Sequence, residues 1–540
     1  MVDQLKRGKV IIQPTKSNAN QRQVLLALGV FALVTLACSI GVLGQDDPIF
    51  SPPGDPAYQK GTSVPVLPTD WAQSNNSGAP IGGGGLPDEA IGIPTPIPIH
   101  GESTLRLYDS QAGDTLPVVA VRFGVEASEI TSPIDPLPAE SLLSPHTLLI
   151  IPNRLANTTS QQKVLPDSEL VYSPSAVDFD VNEYVNQAGG YLSTYSEWLG
   201  STGWTSGADV VQYIATENSI NPRLLLALLE YQSGWIYGQP QDFARRDYPL
   251  GVIELGRKGL YSQLTWAVNK LSIGFYGWRE GLLTDIQFSD GVTARLEPGL
   301  NAGSVALQYY LSFIYDTPGW VEALDEENGL PALYERMFGN AWARAIEVEP
   351  LYPPDLTQPH LILPFLIGQR WSYTGGPHGA WEHDGARAAV DFAPGSTKSG
   401  CVDSYAWAVA MAPGLIVRTG TGLIVQDLDG DGLEQTGWVL LYLHVSNKQV
   451  NVGDWVETSD LLGHPSCEGG ISTGTHLHIA RKYNGEWIPA DGPLPFVMSG
   501  WQAHAGQDPY YGTLTRNDQT IYSSLYGTYE SLIARQRDDP

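Results

Sequence analysis

Gly474-Thr475-His476-Leu477-His478 decides the reading of the C-terminal third of this 540-residue chain. Side chains two residues apart on a β-strand point to one face of the sheet, so a strand here would present both imidazoles together. Candidate partners precede the pair in Gly375-Gly376-Pro377-His378, Ala389-Val390-Asp391-Phe392 and Tyr442-Leu443-His444. The pattern predicts a metal site of two imidazole nitrogens and one carboxylate, with two further histidines for proton transfer.

The order His, Asp, Tyr-x-His and Gly-x-His-x-His resembles the lysostaphin-like zinc metalloendopeptidases, which cut peptidoglycan cross-bridges. The resemblance covers about residues 360 to 500 and includes Val450-Asn451-Val452-Gly453-Asp454-Trp455-Val456 and Leu462-Gly463, similar to that family's turn before its His-x-His. It implies that residues 355–505 form an antiparallel β-sheet peptidase domain acting on stem peptides or cross-bridges.

The resemblance also implies a role for each residue. His378, Asp391 and His478 would be the zinc ligands, with the fourth position left open for water or a substrate carbonyl. Zinc would lower the pKa of water and polarise the scissile carbonyl. His476 would accept the proton of the attacking water, and His444 would stabilise the oxyanion.

Two histidines could be the first ligand. The family's usual first motif is His-x-x-x-Asp, but here the spacing from His378 to Asp391 is much longer, and His383 lies between them. His378 follows a Gly-Gly-Pro turn at a predicted strand end, whereas His383 lies in the polar segment Glu382-His383-Asp384-Gly385, which is typical of an insertion loop. His378 is the favoured ligand. The altered spacing leaves open a second function, a catalytically inactive cell-wall-binding or regulatory protein that activates or localises another hydrolase.

The N-terminal segment predicts the compartment. Residues 1–23 are basic and predicted to be cytoplasmic, and residues 24–43 form an apolar run about long enough to span a bilayer. Within that run Thr35-Leu36-Ala37-Cys38 resembles a bacterial lipoprotein box, so the run is either a signal anchor or a lipoprotein signal with a lipidated Cys38. Both alternatives anchor an extracytoplasmic protein to the bacterial cytoplasmic membrane, with the Pro/Gly-rich residues 44–100 as a linker.

Composition and cysteine content agree with export. The chain has 30 Lys and Arg against 58 Asp and Glu, and this net charge of −28 argues against a nucleic-acid partner, which needs a basic surface. Apart from Cys38, the cysteines are Cys401 and Cys467, a pair suited to a disulfide in an oxidising compartment. The length exceeds that of one hydrophobic core, so a multidomain α+β fold is expected.

Residues 101–156 are predicted to form a small βααβ unit. The segments Gly113-Asp114-Thr115-Leu116, Arg122-Phe123-Gly124-Val125 and Leu148-Leu149-Ile150-Ile151-Pro152 resemble a LysM module. The resemblance implies binding of N-acetylglucosamine-containing glycan strands through the loops near Gly113 to Leu116 and Ile130 to Pro133. The alternative is a structural spacer without glycan affinity.

Residues 180–350 are predicted to be helical from apolar residues at helical spacing. The stretch from Asn221 to Gly234 resembles the catalytic helix of lysozyme-like lytic transglycosylases, in which a general-acid Glu immediately precedes Ser. Gln232 occupies that position, and an amide cannot protonate a glycosidic oxygen. The unit is therefore predicted to be a non-catalytic glycan-binding or spacing domain, with a glycosidase that uses Glu230 as the alternative.

A second metal hypothesis concerns Asp427-Leu428-Asp429-Gly430-Asp431-Gly432-Leu433-Glu434. Alternating carboxylates followed by glycine suit calcium, with Asp427, Asp429, Asp431 and Glu434 as candidate ligands. Trp438 stands where a calcium loop would have its bidentate Glu, so a charged hairpin between strands is an equal alternative. Residues 506–540 are a C-terminal extension with no recognised chemical motif.

Overall fold

The computed structural model describes residues 105–540 except residues 134, 135, 354, 382, 383 and 397. The predicted cytoplasmic segment, the apolar segment with Cys38 and the linker lie outside the described residues, as does His383. Within the described part of the chain, no helix is long and apolar enough to cross a membrane.

The first described unit pairs strand β1 (Leu105–Asp109) with strand β2 (Leu148–Pro152) in antiparallel fashion. Helix α1 (Leu116–Phe123) lies between them and ends at Gly124, whose φ of 64° lets the chain leave the helix without a Cβ penalty. The second predicted helix is only a 3₁₀ turn, Ala127–Glu129. The predicted βααβ order is thus corrected to β, α, 3₁₀, β.

The next part of the chain is helical, in agreement with the periodicity of its apolar residues. Its α-helices are α2 (Val181–Ala188), α3 (Gly207–Asn218), α4 (Pro222–Ser233), α5 (Phe243–Asp247), α6 (Leu260–Arg279), α7 (Ala302–Ile314), α8 (Thr317–Ala323), α9 (Leu330–Phe338) and α10 (Ala341–Val348). Two hairpins interrupt them, β3 (Ser196–Leu199) with β4 (Gly203–Ser206) and β5 (Asp285–Gln287) with β6 (Thr293–Arg295).

Local sequence explains the central helices. The Asn221 side chain caps α4 by accepting a hydrogen bond from the Arg223 amide, and Pro222 suits the first helical position. Helices α6 and α7 approach closely at Gly274, where a Cβ would lie 2.7 Å from Cα of Ala306. Glycine is therefore required at this crossing.

The C-terminal part is a set of antiparallel sheets, which confirms the predicted mixture of helix and sheet. Its strands are β7 (Arg370–His378), β8 (Ala389–Pro394), β9 (Ala408–Val409), β10 (Gly414–Gly420), β11 (Leu423–Asp427), β12 (Trp438–Leu443), β13 (Val445–Ser446), β14 (Trp455–Val456), β15 (Leu461–Pro465), β16 (Leu477–Tyr483), β17 (Glu486–Trp487), β18 (Val497–Met498), β19 (Trp501–Ala505), β20 (Gly512–Arg516), β21 (Gln519–Tyr522) and β22 (Leu532–Ala534). The main sheet has the order β14-β10-β11-β12-β16-β8-β7-β22, with β17 paired to β16.

The C-terminal extension belongs to this fold, so the predicted boundary between residues 505 and 506 is wrong. Ala505 pairs with Gly512 across the β19–β20 hairpin, which the boundary would cut. Strand β22 adds an edge to the main sheet beside β7, and its Ile533 is buried in the same hydrophobic core as Trp371. Burial of this apolar side chain stabilises the packing of the extension against the main sheet.

The helical part packs directly on the sheets through buried polar contacts. Arg279 at the end of α6 pairs with Asp167 at 2.9 Å and with Glu486 of β17 at 3.1 Å. The Tyr276 hydroxyl accepts a hydrogen bond from the Trp487 amide at 2.9 Å. Because these charges are buried, removing one partner would leave the other uncompensated.

Candidate metal centre

Three neighbouring strands bring His378, Asp391 and His478 together. His378 ends β7, Asp391 lies in β8 and His478 lies in β16, directly opposite Asp391 in register. Nε2 of His378 lies 3.1 Å from Nδ1 of His478 and 3.4 Å from Oδ1 of Asp391. Nδ1 of His478 is 3.2 Å from the same oxygen, and all three side chains are buried.

The backbone determines which ring nitrogens face one another. Nδ1 of His378 donates to the Gly376 carbonyl at 2.7 Å, and Nε2 of His478 donates to the Ala380 carbonyl at 2.9 Å. In the neutral rings, the inward-facing nitrogens then carry lone pairs. Oδ1 of Asp391 is buried and accepts no hydrogen bond from the described residues.

Three lone-pair atoms facing one buried point repel one another unless a cation lies between them. The donor set of two imidazole nitrogens and one carboxylate oxygen matches the ligands that zinc takes in catalytic sites. The two carbonyl contacts are the outer hydrogen bonds that ligating histidines normally make. The residues present therefore fit a zinc ion.

The charges of the site are coupled. Burial raises the pKa of Asp391, but His378 and His476 outweigh burial and hold that pKa well below its usual range. Burial lowers the pKa of His378, while the Asp391 carboxylate raises it by more. For His478, burial is the stronger effect and lowers the pKa. The carboxylate is therefore ionised at neutral pH, as a ligand must be.

The two histidines predicted to handle protons lie beside this group. His476 donates from Nδ1 to the Gly474 carbonyl at 2.7 Å, and its Nε2 lies 3.8 Å from Oδ1 of Asp391. The rings of His444 and His476 are 4.5 Å apart between centroids. Burial, together with the neighbouring His476 and His478, lowers the pKa of His444 to about 3, so this ring is neutral near pH 7.

Tyr510 is a site residue that the sequence did not reveal. Its ring stacks on the His378 ring with centroids 4.1 Å apart, and its carbonyl accepts the Gly376 amide at 2.7 Å. Burial and the Asp391 carboxylate raise the pKa of Tyr510 to about 12, so the phenol keeps its proton. Tyr510 lies in the extension that carries no metal-binding motif, so no local signal marked it.

The four predicted calcium ligands do not all lie together. Asp427, Asp429 and Asp431 lie together, but Oδ2 of Asp427 accepts the Gly432 amide at 2.9 Å and Oδ1 of Asp431 accepts the Leu433 amide at 2.8 Å. Burial, followed by Asp429, raises the pKa of Asp427 to about 6. These contacts are those of a tight polar turn.

Glu434 is not a member of that acidic group, which corrects its predicted role as a fourth calcium ligand. Its carboxylate pairs with Arg418 at 2.8 Å and with Lys482 at 3.1 Å. Arg418 also pairs with Glu217 of α3 at 2.7 Å. The two cations balance the negative charge of Glu434, and Arg418 links it to the helical part.

The first of the two loops predicted to bind glycan, near Gly113 to Leu116, is contacted by the helical part. Asp114 is buried, pairs with Arg122 at 2.7 Å and accepts from the Tyr108 hydroxyl at 2.6 Å. Arg279 donates to the Ala112 carbonyl, and a Cβ on Gly113 would meet its guanidinium. Asp114 and Thr115 are both buried, and Gly113 and Leu116 are only partly exposed.

The Glu230 carboxylate binds the backbone that follows the end of α4. Its Oε2 accepts the amides of Ile236 at 2.8 Å and Tyr237 at 3.2 Å. Gln232 instead accepts a hydrogen bond from the Tyr315 hydroxyl at 3.1 Å. Two backbone amides therefore occupy one oxygen of the Glu230 carboxylate.

Part of the chain matches a described protein family. Residues 163–353 match the family described as LasA, N-terminal domain. The match spans the predicted helical unit, whose lysozyme-like character stays a prediction.

Solved structures with related segments include the M23 metalloprotease pseudoalterin from the deep sea, at 26% identity and a TM-score of 0.27. That alignment covers 31% of this chain and 96% of pseudoalterin. The catalytic domain of lysostaphin from Staphylococcus simulans is 26% identical with a TM-score of 0.17, over 23% of this chain and 89% of that domain.

One curated relative covers more of the chain. Protease LasA from Pseudomonas aeruginosa is 29% identical over 350 residues, which are 61% of this chain and 75% of LasA. Lysostaphin from Staphylococcus simulans is 33% identical over 133 residues, 23% of this chain and 25% of lysostaphin. The beta-lytic metalloendopeptidase of Achromobacter lyticus is 31% identical over 105 residues, 17% of this chain and 26% of that enzyme. These relatives support a lysostaphin-like metallopeptidase.

Proposed function

We propose that this chain is an extracytoplasmic zinc endopeptidase that hydrolyses peptide bonds in peptidoglycan stem peptides or cross-bridges. The observation that carries the proposal is the convergence of Nε2 of His378, Oδ1 of Asp391 and Nδ1 of His478 on one buried point. A zinc ion held there would supply Lewis acidity toward water and the scissile carbonyl.

The residues beside the ligands carry the proton chemistry. His476 donates from Nδ1 to a carbonyl, so its Nε2 has the lone pair needed to accept the proton of the attacking water. The same imidazole then returns that proton to the leaving amine. This is hydrolysis without a covalent intermediate.

The orientation of the His444 ring bears on its predicted role. Its Nδ1 donates to the Glu468 carbonyl at 2.8 Å, so Nε2 of the neutral ring has no proton to offer an oxyanion. In this tautomer His444 can accept a hydrogen bond at Nε2 but cannot donate one there, and its pKa is lowered to about 3, so it would stay neutral while His476 carries the proton. The oxyanion role predicted for His444 would need the tautomer with the proton on Nε2.

The predicted location and targeting complete the proposal. Residues 24–43 would anchor the chain to the cytoplasmic membrane, as a signal anchor or through a lipidated Cys38. If the LysM-like unit binds glycan, the covered loop at Gly113 to Leu116 leaves the second loop, where Thr131 and Pro133 are exposed, as the contact surface.

The second candidate is a catalytically inactive cell-wall-binding or regulatory protein, which the long spacing between His378 and Asp391 favoured. That spacing is accommodated by the connection 379–388 between β7 and β8. Nε2 of His378 and Oδ1 of Asp391 lie 3.4 Å apart despite the long connection. The spacing in the sequence is therefore no argument that the site has lost its metal.

The test uses the full chain, purified in detergent from an oxidising compartment and incubated with purified peptidoglycan. Bound zinc, newly exposed amino groups and new reducing ends are measured together. The proposal expects about one zinc per chain and new amino groups without reducing ends. Absence of both zinc and cleavage would instead support the inactive wall-binding protein.

A further inference from the structure

A disulfide joins Cys401 to Cys467. Cys401 lies in the loop between β8 and β9, and Cys467 lies in the loop between β15 and β16. Neither cysteine contributes a hydrogen bond to the three proposed zinc ligands. The residues next to each cysteine, however, hold the two histidines proposed to move protons.

On one side of the bridge, the neighbours of Cys467 fix His444. The amide and hydroxyl of Ser466 both donate to the His444 carbonyl, at 2.7 and 3.1 Å. The Glu468 carbonyl accepts from Nδ1 of the His444 ring at 2.8 Å. His444 has a φ of 64°, a left-handed conformation that is uncommon for residues other than glycine.

On the other side, the neighbours of Cys401 fix the residue before His476. The Gly400 carbonyl accepts from the Thr475 amide at 3.2 Å. The Thr475 hydroxyl accepts from the Val402 amide at 2.8 Å and donates to the Val402 carbonyl at 2.6 Å. The His476 amide donates a hydrogen bond to the Ser466 carbonyl at 3.3 Å, so His476 is also held by the residue before Cys467.

One side chain links the sulfur to the imidazole. The Ser472 hydroxyl lies 3.3 Å from Sγ of Cys467 and 3.3 Å from Nδ1 of His476. By contrast, the zinc ligands His378 and His478 are oriented by the carbonyls of Gly376 and Ala380, which lie in a different part of the fold.

We propose that the Cys401–Cys467 bridge is a positioning element for His444 and His476, one that sets the rate of the chemical step and leaves the metal ligands in place. The inference rests on the proposed function. Groups that orient catalytic side chains through hydrogen bonds have effects of about 10- to 100-fold when removed. The bridge should therefore act mainly on kcat.

Reduction of the folded full chain tests this. A phosphine and one water convert the bridge to two thiols: the phosphine takes the water's oxygen as the phosphine oxide, and the two sulfurs take its hydrogens. Bound zinc, kcat and KM for peptidoglycan cleavage are then measured before reduction, after reduction and after reoxidation. The matched control is Cys401→Ser/Cys467→Ser treated with the same phosphine, because any direct inhibition by the reductant would appear there as well.

The expected result is a fall in kcat of about 10- to 100-fold on reduction, a nearly unchanged KM, retained zinc and recovery on reoxidation. The double variant should start with the low rate and ignore the phosphine. Unchanged kcat in the reduced wild type overturns the inference alone. Loss of zinc in parallel with activity also overturns it, since the bridge would then hold the whole site. An oxidised wild type that neither binds zinc nor cleaves fails the proposed function itself.

Discussion

Oδ1 of Asp391 lies 3.2 Å from Nδ1 of His478, across the pairing of β8 with β16. Both residues are placed by strands in the interior of the main sheet, and such elements hold a site more firmly than loops do. His378 joins them from the end of β7, where the register with β8 shifts between Gly375 and His378. The ligands are thus held largely by strand pairing.

Substitution His378→Ala should abolish zinc binding and cleavage, because it removes one of three ligand atoms. His383→Ala is the matched control, since it removes the rival histidine five positions further along. Zinc content after dialysis distinguishes the two. Loss of zinc in His383→Ala with retention in His378→Ala would reverse the assignment of the first ligand.

Gly375→Ala should weaken zinc binding by about 10- to 100-fold, the range for groups that orient a ligand. A Cβ at Gly375 would overlap Oδ2 of Asp391 and lie 2.8 Å from its Cγ. The carboxylate would have to turn away from the histidines. Gly395→Ala is the control, because a Cβ there meets nothing within 4 Å. Competition with a chelator measures both affinities, and equal values would show that the carboxylate has room to move.

Tyr510→Ala should lower zinc affinity about 10-fold, because the ring that stacks on His378 would be lost and water admitted beside it. Tyr510→Phe keeps the stacking and should bind zinc as wild type does. A phenylalanine variant that loses zinc as well would show that the hydroxyl, rather than the ring, supports the site.

Glu434 should make stability depend on pH. Burial raises the pKa of its carboxyl, but Lys482 and Arg418 lower it by more, to about 2. This folded-state value lies below the unfolded value of about 4.3. The ion pairs therefore contribute stability above the unfolded pKa, and that contribution is lost as the pH falls toward the folded pKa.

Glu434→Gln should accordingly destabilise the protein by about 3 kcal/mol near neutral pH, since it leaves the buried Lys482 without its partner and Arg418 with Glu217 alone. The difference from wild type should shrink near about pH 3, where the wild-type carboxyl begins to lose its advantage. Thermal midpoints at both pH values give the comparison, with the exposed Glu326→Gln as control. An equal deficit at both pH values would exclude the ion pairs as its cause.

Short-range patterns predicted the parts of the site that strands create. The spacing of His476 and His478 and the apolar run before His444 depend only on local periodicity, and the structure brings these residues together with Asp391. The tautomer of His444 could not be read in the same way, because its acceptor, the Glu468 carbonyl, is 24 residues away.

Features set by long-range packing were missed. The Gly113 loop has the sequence of an exposed turn, but Arg279, 166 residues further along, covers it. Tyr510 reaches His378 only because the β19–β20 hairpin folds back on β7, a contact between segments more than 130 residues apart. Neither of these long-range contacts produces a periodic pattern in the sequence, so sequence analysis could not predict them.

The most direct test compares wild type with His476→Ala in the full chain, with bound zinc and released amino groups measured on the same samples. The account predicts that both proteins hold about one zinc per chain and that only wild type cleaves peptidoglycan. Cleavage at the wild-type rate by His476→Ala would contradict the assigned proton acceptor. Zinc-free wild type would contradict the metal centre at His378, Asp391 and His478.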